Sequence, residues 1–132
     1  MIEVERVDYV RVPVDDIEAA KHFYGAVLGL PRNEHLDHED WVEYETPNVT
    51  LAVMTPETHD YEFAQLPPAT IALRVPDVAA ARTKLEEAGL EVGEMWDSGA
   101  CRGVGLRDPA GNRILLHRRY APYDDGTPPS PS

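Results

Sequence analysis

One short stretch occurs twice in the chain, an apolar strand that runs directly into the start of a helix. The first copy is VDYVRVPVDDI at residues 7–17, and the second is IALRVPDV at residues 71–78. At an offset of 61 residues, Asp16 falls on Asp77. A repeated unit of this kind buries its apolar side against a neighbour. The repeat therefore predicts two copies of one module, with a functional site where the copies face each other.

Chain length limits how these modules are organised. With 132 residues, 42% of them hydrophobic, the chain is expected to form a single domain over residues 1–120. Module one is predicted at about 5–56, the linker at 57–67 and module two at about 68–119. Residues 121–132 are rich in Pro and Ser and predict a tail that builds no core of its own.

The net charge of the chain excludes some classes of binding partner. A formal net charge of −12 opposes nucleic acid and anionic membrane surfaces, so neither is expected as a partner. No apolar run long enough to span a membrane and no secretory signal are seen in these residues. A single cysteine, Cys101, cannot form an internal disulfide. We expect a cytoplasmic protein.

The first module is predicted as β-α-β-β-β. A strand of alternating valines precedes a helix that begins at Asp15 and Asp16 and ends at Gly29. Residues 32–40 are polar and indicate a ragged strand and loop. Two apolar runs then flank Thr46-Pro47-Asn48, the pattern of a β-hairpin. The two hairpin strands are residues 41–45 and 49–54.

The second module repeats this order. A strand with Ile71, Leu73 and Val75 on its buried face precedes a helix from Asp77 to about Ala88. The next strand is predicted at residues 90–95. The last two strands are predicted at residues 102–107 and 113–117, around the turn Asp108-Pro109-Ala110-Gly111-Asn112.

Strand alternation predicts a second, open face. If Val10, Val12 and Val14 and their counterparts lie under the helices, the intervening side chains point to the opposite side. They are Tyr9, Arg11, Thr50, Ala52, Met54, Thr70, Ala72, Arg74, Arg113, Leu115, His117 and, at the end of the last strand, Arg119. The mixture indicates a mostly apolar pocket with a few polar groups. Its arginines favour a carboxylate, phosphate or enolate-like ligand, or they extend to water and pair with carboxylates.

Several of these runs together resemble the vicinal oxygen chelate superfamily, which includes glyoxalase I, bleomycin-resistance proteins and extradiol dioxygenases. The runs are VDYV, FY, VLGL and DPAGNRI, and the resemblance spans roughly residues 7–119. It implies an α+β fold of two βαβββ modules, which form a curved, incomplete-barrel mixed sheet with helices on the convex side. It also implies a homodimer.

In the enzymes of that superfamily a divalent metal is held by the first and last strands of each module. By position those sites are Tyr9, Ala52 (or Thr50, two residues away), Thr70 and Leu115. None is His or Glu, and a divalent ion needs about three firm N, O⁻ or S⁻ ligands. We therefore expect no metal and no cofactor. The resemblance implies instead a relative of the metal-free members, which sequester small toxic compounds.

The hypothesis is a small-molecule-binding protein. Tyr9 and Trp41 would stack on the ligand or hydrogen-bond to it, and Arg11, Arg74 and His117 would orient its polar groups. The full predicted ligand-binding set is Tyr9, Arg11, Trp41, Ala52, Met54, Thr70, Arg74, Arg113, Leu115 and His117.

Two alternatives to this hypothesis stay open. In the first, the chain is a lyase, isomerase or dioxygenase that uses a metal or an acid–base step centred on His117, the candidate catalytic residue. His117 otherwise makes only a structural hydrogen bond. Another candidate metal site is His35-x-x-His38-Glu39, and a candidate nucleophile is Cys101, which otherwise is a small buried apolar residue. In the second alternative the protein binds another protein, and its own side chains or the partner fill the open face.

Overall fold

The structure is a computed structural model, and it describes residues 1–56, 62–65, 71–122, 126 and 128, excluding the side chains of residues 35–37. The chain divides into two compact units. The first unit is Met1–Leu66 with Pro109–Asn112, and the second is Pro67–Asp108 with Arg113–Ser132. Most of the predicted linker and tail lies outside the described residues.

The first unit contains one mixed four-stranded sheet. Its elements are β1 (Tyr9–Pro13), α1 (Ile17–Lys21) continuing as a π-helical segment (His22–Val27), β2 (Arg32–His38), β3 (Trp41–Glu45) and β4 (Thr50–Met54). The strand order is β1-β4-β3-β2, with β1 parallel to β4 and the other pairs antiparallel. The predicted ragged strand is β2, whose register shifts between Asn33 and His38.

The second unit repeats this arrangement. Its elements are β5 (Ile71–Arg74), α2 (Val78–Glu87), β6 (Trp96–Asp97), β7 (Cys101–Arg107) and β8 (Arg113–Arg119). The order is β5-β8-β7-β6, with β5 parallel to β8. The predicted α+β class with two β-α-β-β-β modules is therefore confirmed. Among the described residues, no helix has the length and apolar composition needed to cross a membrane.

Both helices begin where the repeat places an aspartate. Asp16 Oδ1 accepts a hydrogen bond from the Ala19 amide at 3.1 Å, and Asp77 Oδ1 accepts one from Ala80 at 3.0 Å. Each carboxylate satisfies an amide that has no partner within its helix, which confirms the two predicted N-caps. Gly89, at φ 85°, follows the end of α2 in a conformation that glycine adopts without strain.

The first helix departs from the expected regular α-helix. Its last turns are π-helical, and the Leu28 amide donates to the carbonyl of Phe23 at 2.9 Å. In this segment Phe23 and Tyr24 are both buried, with ring centroids 4.9 Å apart.

Burial confirms most of the expected helix-facing residues. Val12, Val14, Leu51 and Val53 are fully or almost fully buried, as are Ile114 and Leu116 in the second unit. The predicted burial of Val10 is wrong, since Val10 is 36% exposed. Three residues in or just after β5 that were also predicted to be buried are only half-buried, namely Ile71, Leu73 and Val75. β1 and β5 are edge strands with a neighbour on one side only in their sheets. Within β1 the burial rises along the strand, from Val10 near its start to the fully buried Val12.

The prediction of a strand at residues 90–95 is wrong. The strand is β6, at Trp96–Asp97, and it is preceded by an isolated bridge between Val92 and Leu106. The Leu90 amide instead donates to Leu85 at the end of α2, at 3.1 Å. Residues 90–95 therefore leave the helix and cross to the edge of the sheet before the ladder with β7 begins.

Both predicted turns are confirmed. Thr46 closes the first hairpin by donating from its amide to the Val49 carbonyl at 3.1 Å. In the second turn, Gly111 has φ 90° and the buried Asn112 donates from Nδ2 to the Pro13 carbonyl at 2.7 Å. This turn therefore belongs to the first unit.

Candidate functional site

The first sheet has a face directed away from its buried valines, which we call the first open face. Three cross-strand rows form it, each with one residue from β1, β4 and β3. The rows are Tyr9–Thr50–Glu45, Arg11–Ala52–Glu43 and Pro13–Met54–Trp41. The register thus places Trp41, whose direction the sequence left undetermined, on the predicted ligand face.

An aromatic and charged cluster occupies this face. The rings of Tyr9 and Trp41 meet edge to face, with centroids 5.6 Å apart, and the Arg11 guanidinium carbon lies 5.6 Å from the Trp41 centroid. Trp41 Nε1 donates to Glu43 Oε2 at 2.8 Å. Tyr9 stays 45% exposed. The cluster presents an aromatic surface flanked by one cation and one anion.

The small and apolar residues of this face are covered. Ala52 and Met54 are fully buried, and Thr50 is nearly so, with its hydroxyl donating to Glu45 at 2.7 Å. A ligand on the first open face would therefore contact Tyr9 and Arg11, and would reach Ala52 or Met54 only if the covering groups moved.

The second sheet has a corresponding face, which we call the second open face. Its rows are Arg74–His117–Gly103–Trp96, Ala72–Leu115–Gly105 and Arg113–Arg107. Four predicted site residues, Arg74, Arg113, Leu115 and His117, lie on it. Thr70 lies outside the described residues.

The Trp96 side chain lies across the neighbouring strand β7. A Cβ atom at Gly103 would overlap the Trp96 ring, so only glycine allows the ring to lie there. The His117 ring is 6.1 Å from that of Trp96, tilted by 49°. Trp96 remains 42% exposed. The pair forms an aromatic wall at one end of the face.

Gly105 lies at the centre of the second open face. Among the described residues outside its chain neighbours, the nearest atom to a Cβ added at Gly105 would be Arg113 Nη2, at 4.0 Å. Arg113 lies directly opposite Arg107 in the register. The face thus combines an aromatic wall, a small apolar floor and two guanidinium groups, a mixture suited to organic ligands.

A cleft of about 480 Å³ lies elsewhere in the second unit, where α2 begins. Its lining includes Arg102 and Tyr120, and next to it Tyr120 donates to Asp97 at 2.6 Å. This hydrogen bond, assisted by the Gly99 amide and Arg102, lowers the pKa of Asp97. The same bond raises the pKa of Tyr120. Arg102 also bonds Asp97 at 3.2 Å, so these groups largely satisfy one another.

The resemblance assigns the metal-ligand positions of its enzymes to Tyr9, Ala52 or Thr50, Thr70 and Leu115, of which all but Thr70 are described. Among Tyr9, Ala52 and Leu115 only the phenol has a side-chain donor atom, whereas a divalent ion needs about three firm ligands. The described part of the chain contains no group of three His, Cys, Asp or Glu residues placed to hold a metal. In the His35-x-x-His38-Glu39 motif, the His35 side chain lies outside the described residues, whereas His38 and Glu39 are exposed.

Cys101, the predicted alternative nucleophile, is half-buried and lies opposite Arg119 in the β7–β8 ladder. Its amide donates to Ser98 Oγ at 3.1 Å. Within the described residues no hydrogen bond of its sulfur is found. Its role as a nucleophile remains a prediction.

The family model of the Glyoxalase/Bleomycin resistance protein/Dioxygenase superfamily matches residues 6–116. The chain belongs to this superfamily. Curated proteins gave no significant match.

Solved structures of the superfamily share the fold. TnmS3, an antibiotic binding protein from Streptomyces sp. CB03234, is 25% identical, with a TM-score of 0.73 over 90% of this chain and 99% of its own. A glyoxalase/bleomycin resistance protein from the same organism is 25% identical, with a TM-score of 0.64 over 86% and 100%. A lactoylglutathione lyase from Agrobacterium tumefaciens is 23% identical, with a TM-score of 0.70 over 86% and 93%.

Sequence reasoning missed several residues of the open faces. Trp96 was placed beyond the expected strand, and Gly103, Gly105 and Glu43 were given no direction. The final strands align at an offset of 63 residues, and β3 aligns with β7 at 62, so Trp41 falls on Gly103 and Glu43 on Gly105. Extending the repeat into the hairpins would have identified these positions.

Proposed function

We propose that this superfamily member binds a small organic molecule on its open faces without a metal, and that it acts by sequestering that molecule. The observation that carries the proposal is Trp96, which lies half-exposed across Gly103, two residues from Gly105, where an added Cβ would meet no described atom closer than 4.0 Å outside its chain neighbours. Partly exposed aromatic rings beside unfilled space are typical of ligand sites. The similarity to an antibiotic binding protein supports this function.

The donor set supports binding rather than metal chemistry. Tyrosine, alanine and leucine stand where metal-binding relatives carry ligands, and such a set does not hold a divalent ion at neutral pH. We further propose that the protein works in the cytoplasm, which agrees with its one free cysteine.

A thermal-shift screen against aromatic and glycopeptide-like molecules tests the proposal, using protein treated with a chelator. A ligand at 100 times its Kd stabilises the folded state by about 2.7 kcal/mol. Trp96→Ala should weaken the binding of that ligand by roughly two- to tenfold, because one aromatic contact contributes about 0.5–1.5 kcal/mol of binding free energy. Met95→Ala, which removes the neighbouring exposed side chain, is the control. No stabilisation by any compound would favour a protein-binding role instead.

An acid–base reaction at His117 is the competing function. His117 is half-buried on the second open face, between Arg74 and Gly103 in the register. If it is catalytic, His117→Asn should abolish turnover of a bound compound while leaving its affinity nearly unchanged. If sequestration is the function, the wild-type protein releases every bound compound unaltered, which mass spectrometry of the released ligand determines.

We also propose that the protein is a homodimer, as its resemblance to the superfamily implies. Size-exclusion chromatography with light scattering should then give twice the mass of one chain. The same mass should persist on dilution to low micromolar concentration, and a single-chain mass throughout would contradict the proposal.

A further inference from the structure

We infer that the second open face selects a flat aromatic ligand that carries a negative charge, seated over Gly105 between Trp96 and the Arg107–Arg113 pair. The inference rests on the proposed function, because it names the class of ligand for one of its faces.

Gly105 leaves room beside the strand for a ligand. Glycine weakens the interior of a strand, and it often occurs where another group must approach the backbone closely. Gly103 is explained by the Trp96 ring, whereas at Gly105 no described atom outside its chain neighbours would come closer than 4.0 Å to an added Cβ. Ala72 and Leu115 share the row of Gly105 and extend an apolar floor across three strands. A flat, apolar body fits such a floor.

The second open face carries several arginines. Arg107 and Arg113 are direct cross-strand partners, and like charges in that arrangement repel each other. Arg74 lies on the same face, and its row contains no Asp or Glu among the described residues. Arg113 has no ion pair within the described part of the chain. Three guanidinium groups on one face would each attract an anion bound beside them.

The groups of the second open face are arranged along β7. Gly103 and Arg107 are four residues apart on β7, about 13 Å at the usual rise of a strand. An aromatic body of one or two fused rings next to Trp96 would therefore bring an acidic substituent within reach of the guanidinium groups. Guanidinium binds carboxylate through two parallel hydrogen bonds, which adds direction to the charge attraction.

The first open face provides a contrast. Glu43 and Glu45 stand where the second face has Gly105 and Arg107. In the first face the central row has Glu43 balanced by Arg11, and the end row has Glu45, so that face lacks the paired arginines of the second. The preference for an anion is thus specific to the second open face.

Isothermal titration calorimetry with 2-naphthoate and 2-naphthamide tests the inference, because the two molecules have nearly the same shape and differ in charge. We expect 2-naphthoate to bind at least about tenfold more tightly. Arg113→Gln should weaken the binding of 2-naphthoate by about tenfold and change the affinity for 2-naphthamide by less than about threefold. Arg102→Gln removes the same charge from the opposite side of β7 and should change neither affinity by more than about threefold.

Filling the centre of the face gives an independent test. Gly105→Leu should abolish binding of both molecules while circular dichroism shows the native fold. If that variant does not fold, Arg107→Gln replaces it and should reduce the preference for 2-naphthoate as Arg113→Gln does.

The outcomes separate this inference from the function on which it rests. Equal binding of the two molecules, or a preference unchanged in Arg113→Gln, would overturn the inference and leave sequestration standing. If neither molecule binds, the inference is also overturned. The proposed function would be contradicted only if, in addition, no compound in the thermal-shift screen stabilised the protein.

Discussion

The residues of β3 and β7 occupy corresponding places in the two modules but differ in kind. Where β3 carries Trp41 and Glu43, β7 carries Gly103 and Gly105. Because Gly103 has no side chain, the Trp96 ring from the neighbouring strand lies in its place. Each open face thus obtains one tryptophan from a different strand, and the two faces differ in their charge.

At the same scale, Tyr120 is expected to control the acidity of Asp97. Its hydroxyl donates to the Asp97 carboxylate at 2.6 Å and is the largest cause of the lowered pKa of that group. Tyr120→Phe should therefore raise the pKa of Asp97 toward the ordinary value of about 4. NMR titration of the carboxyl carbon measures this shift, and Tyr9→Phe should leave it unchanged.

The sign of the accompanying pH dependence follows from the lowered pKa. A carboxyl group with a lowered folded-state pKa stabilises the protein above its unfolded pKa, and that stabilisation is lost as the pH falls through the folded value. The acid end of the stability curve should therefore be slightly less steep in Tyr120→Phe than in the wild type. A steeper curve in the variant, or an unshifted Asp97, would contradict the assignment of this hydrogen bond.

Asn112 is expected to be important for stability. It is 1% exposed, and its Nδ2 donates to the Pro13 carbonyl at 2.7 Å. Asn112→Ala leaves a carbonyl without this donor and should cost about 1–3 kcal/mol of unfolding free energy, measured by urea denaturation. Asn48→Ala, in the exposed hairpin turn, should cost less than about 0.5 kcal/mol. Equal losses in the two variants would show that the buried bond is not the cause.

At the scale of elements, α2 depends on its first residue. Asp77 accepts a hydrogen bond from the Ala80 amide, and Asp77→Ala should destabilise the protein by about 1 kcal/mol. Asp15→Ala is the control, because Asp15 is exposed and precedes the aspartate that caps α1. The midpoints of urea unfolding of the two variants measure the difference. A loss of unfolding free energy in Asp15→Ala as large as in Asp77→Ala would contradict the capping role of Asp77.

Elements defined by local signals were predicted correctly from the sequence. Asp16 and Asp77 cap helices through bonds that span three residues, and the turn at Thr46-Pro47-Asn48 is equally local. Their energetics depend on nearby residues alone, so a pattern in the sequence suffices to identify them.

Three features that depend on distant partners were not predicted. The start of β6 depends on the ladder with β7, and the direction of Trp41 depends on its pairing with Met54 in β4. The π-helical segment lies where Phe23 and Tyr24 are both buried in the core. Such features are set by tertiary packing, which local propensity does not specify. For the same reason strand alternation predicted many side chains of the open faces but missed Trp96.

At the scale of the whole molecule, the two modules retain the same order of strands and helices although their open faces differ. Both have an edge strand parallel to the last strand and a hairpin that completes the sheet. The repeated framework leaves the open-face residues free to vary without changing the core, because alternation directs them away from it. The proposed function rests on that variation, which places aromatic, glycine and arginine residues on the open faces.

The central claim is that the protein binds its ligand without a metal. Isothermal titration calorimetry of 2-naphthoate, with exhaustively chelated protein and again with added Mn²⁺, Ni²⁺ or Zn²⁺, tests it most directly. We expect saturable binding to the chelated protein, with a Kd that each metal changes by less than about threefold. Binding that appears only with a metal, together with one such ion per chain by elemental analysis, would contradict the claim.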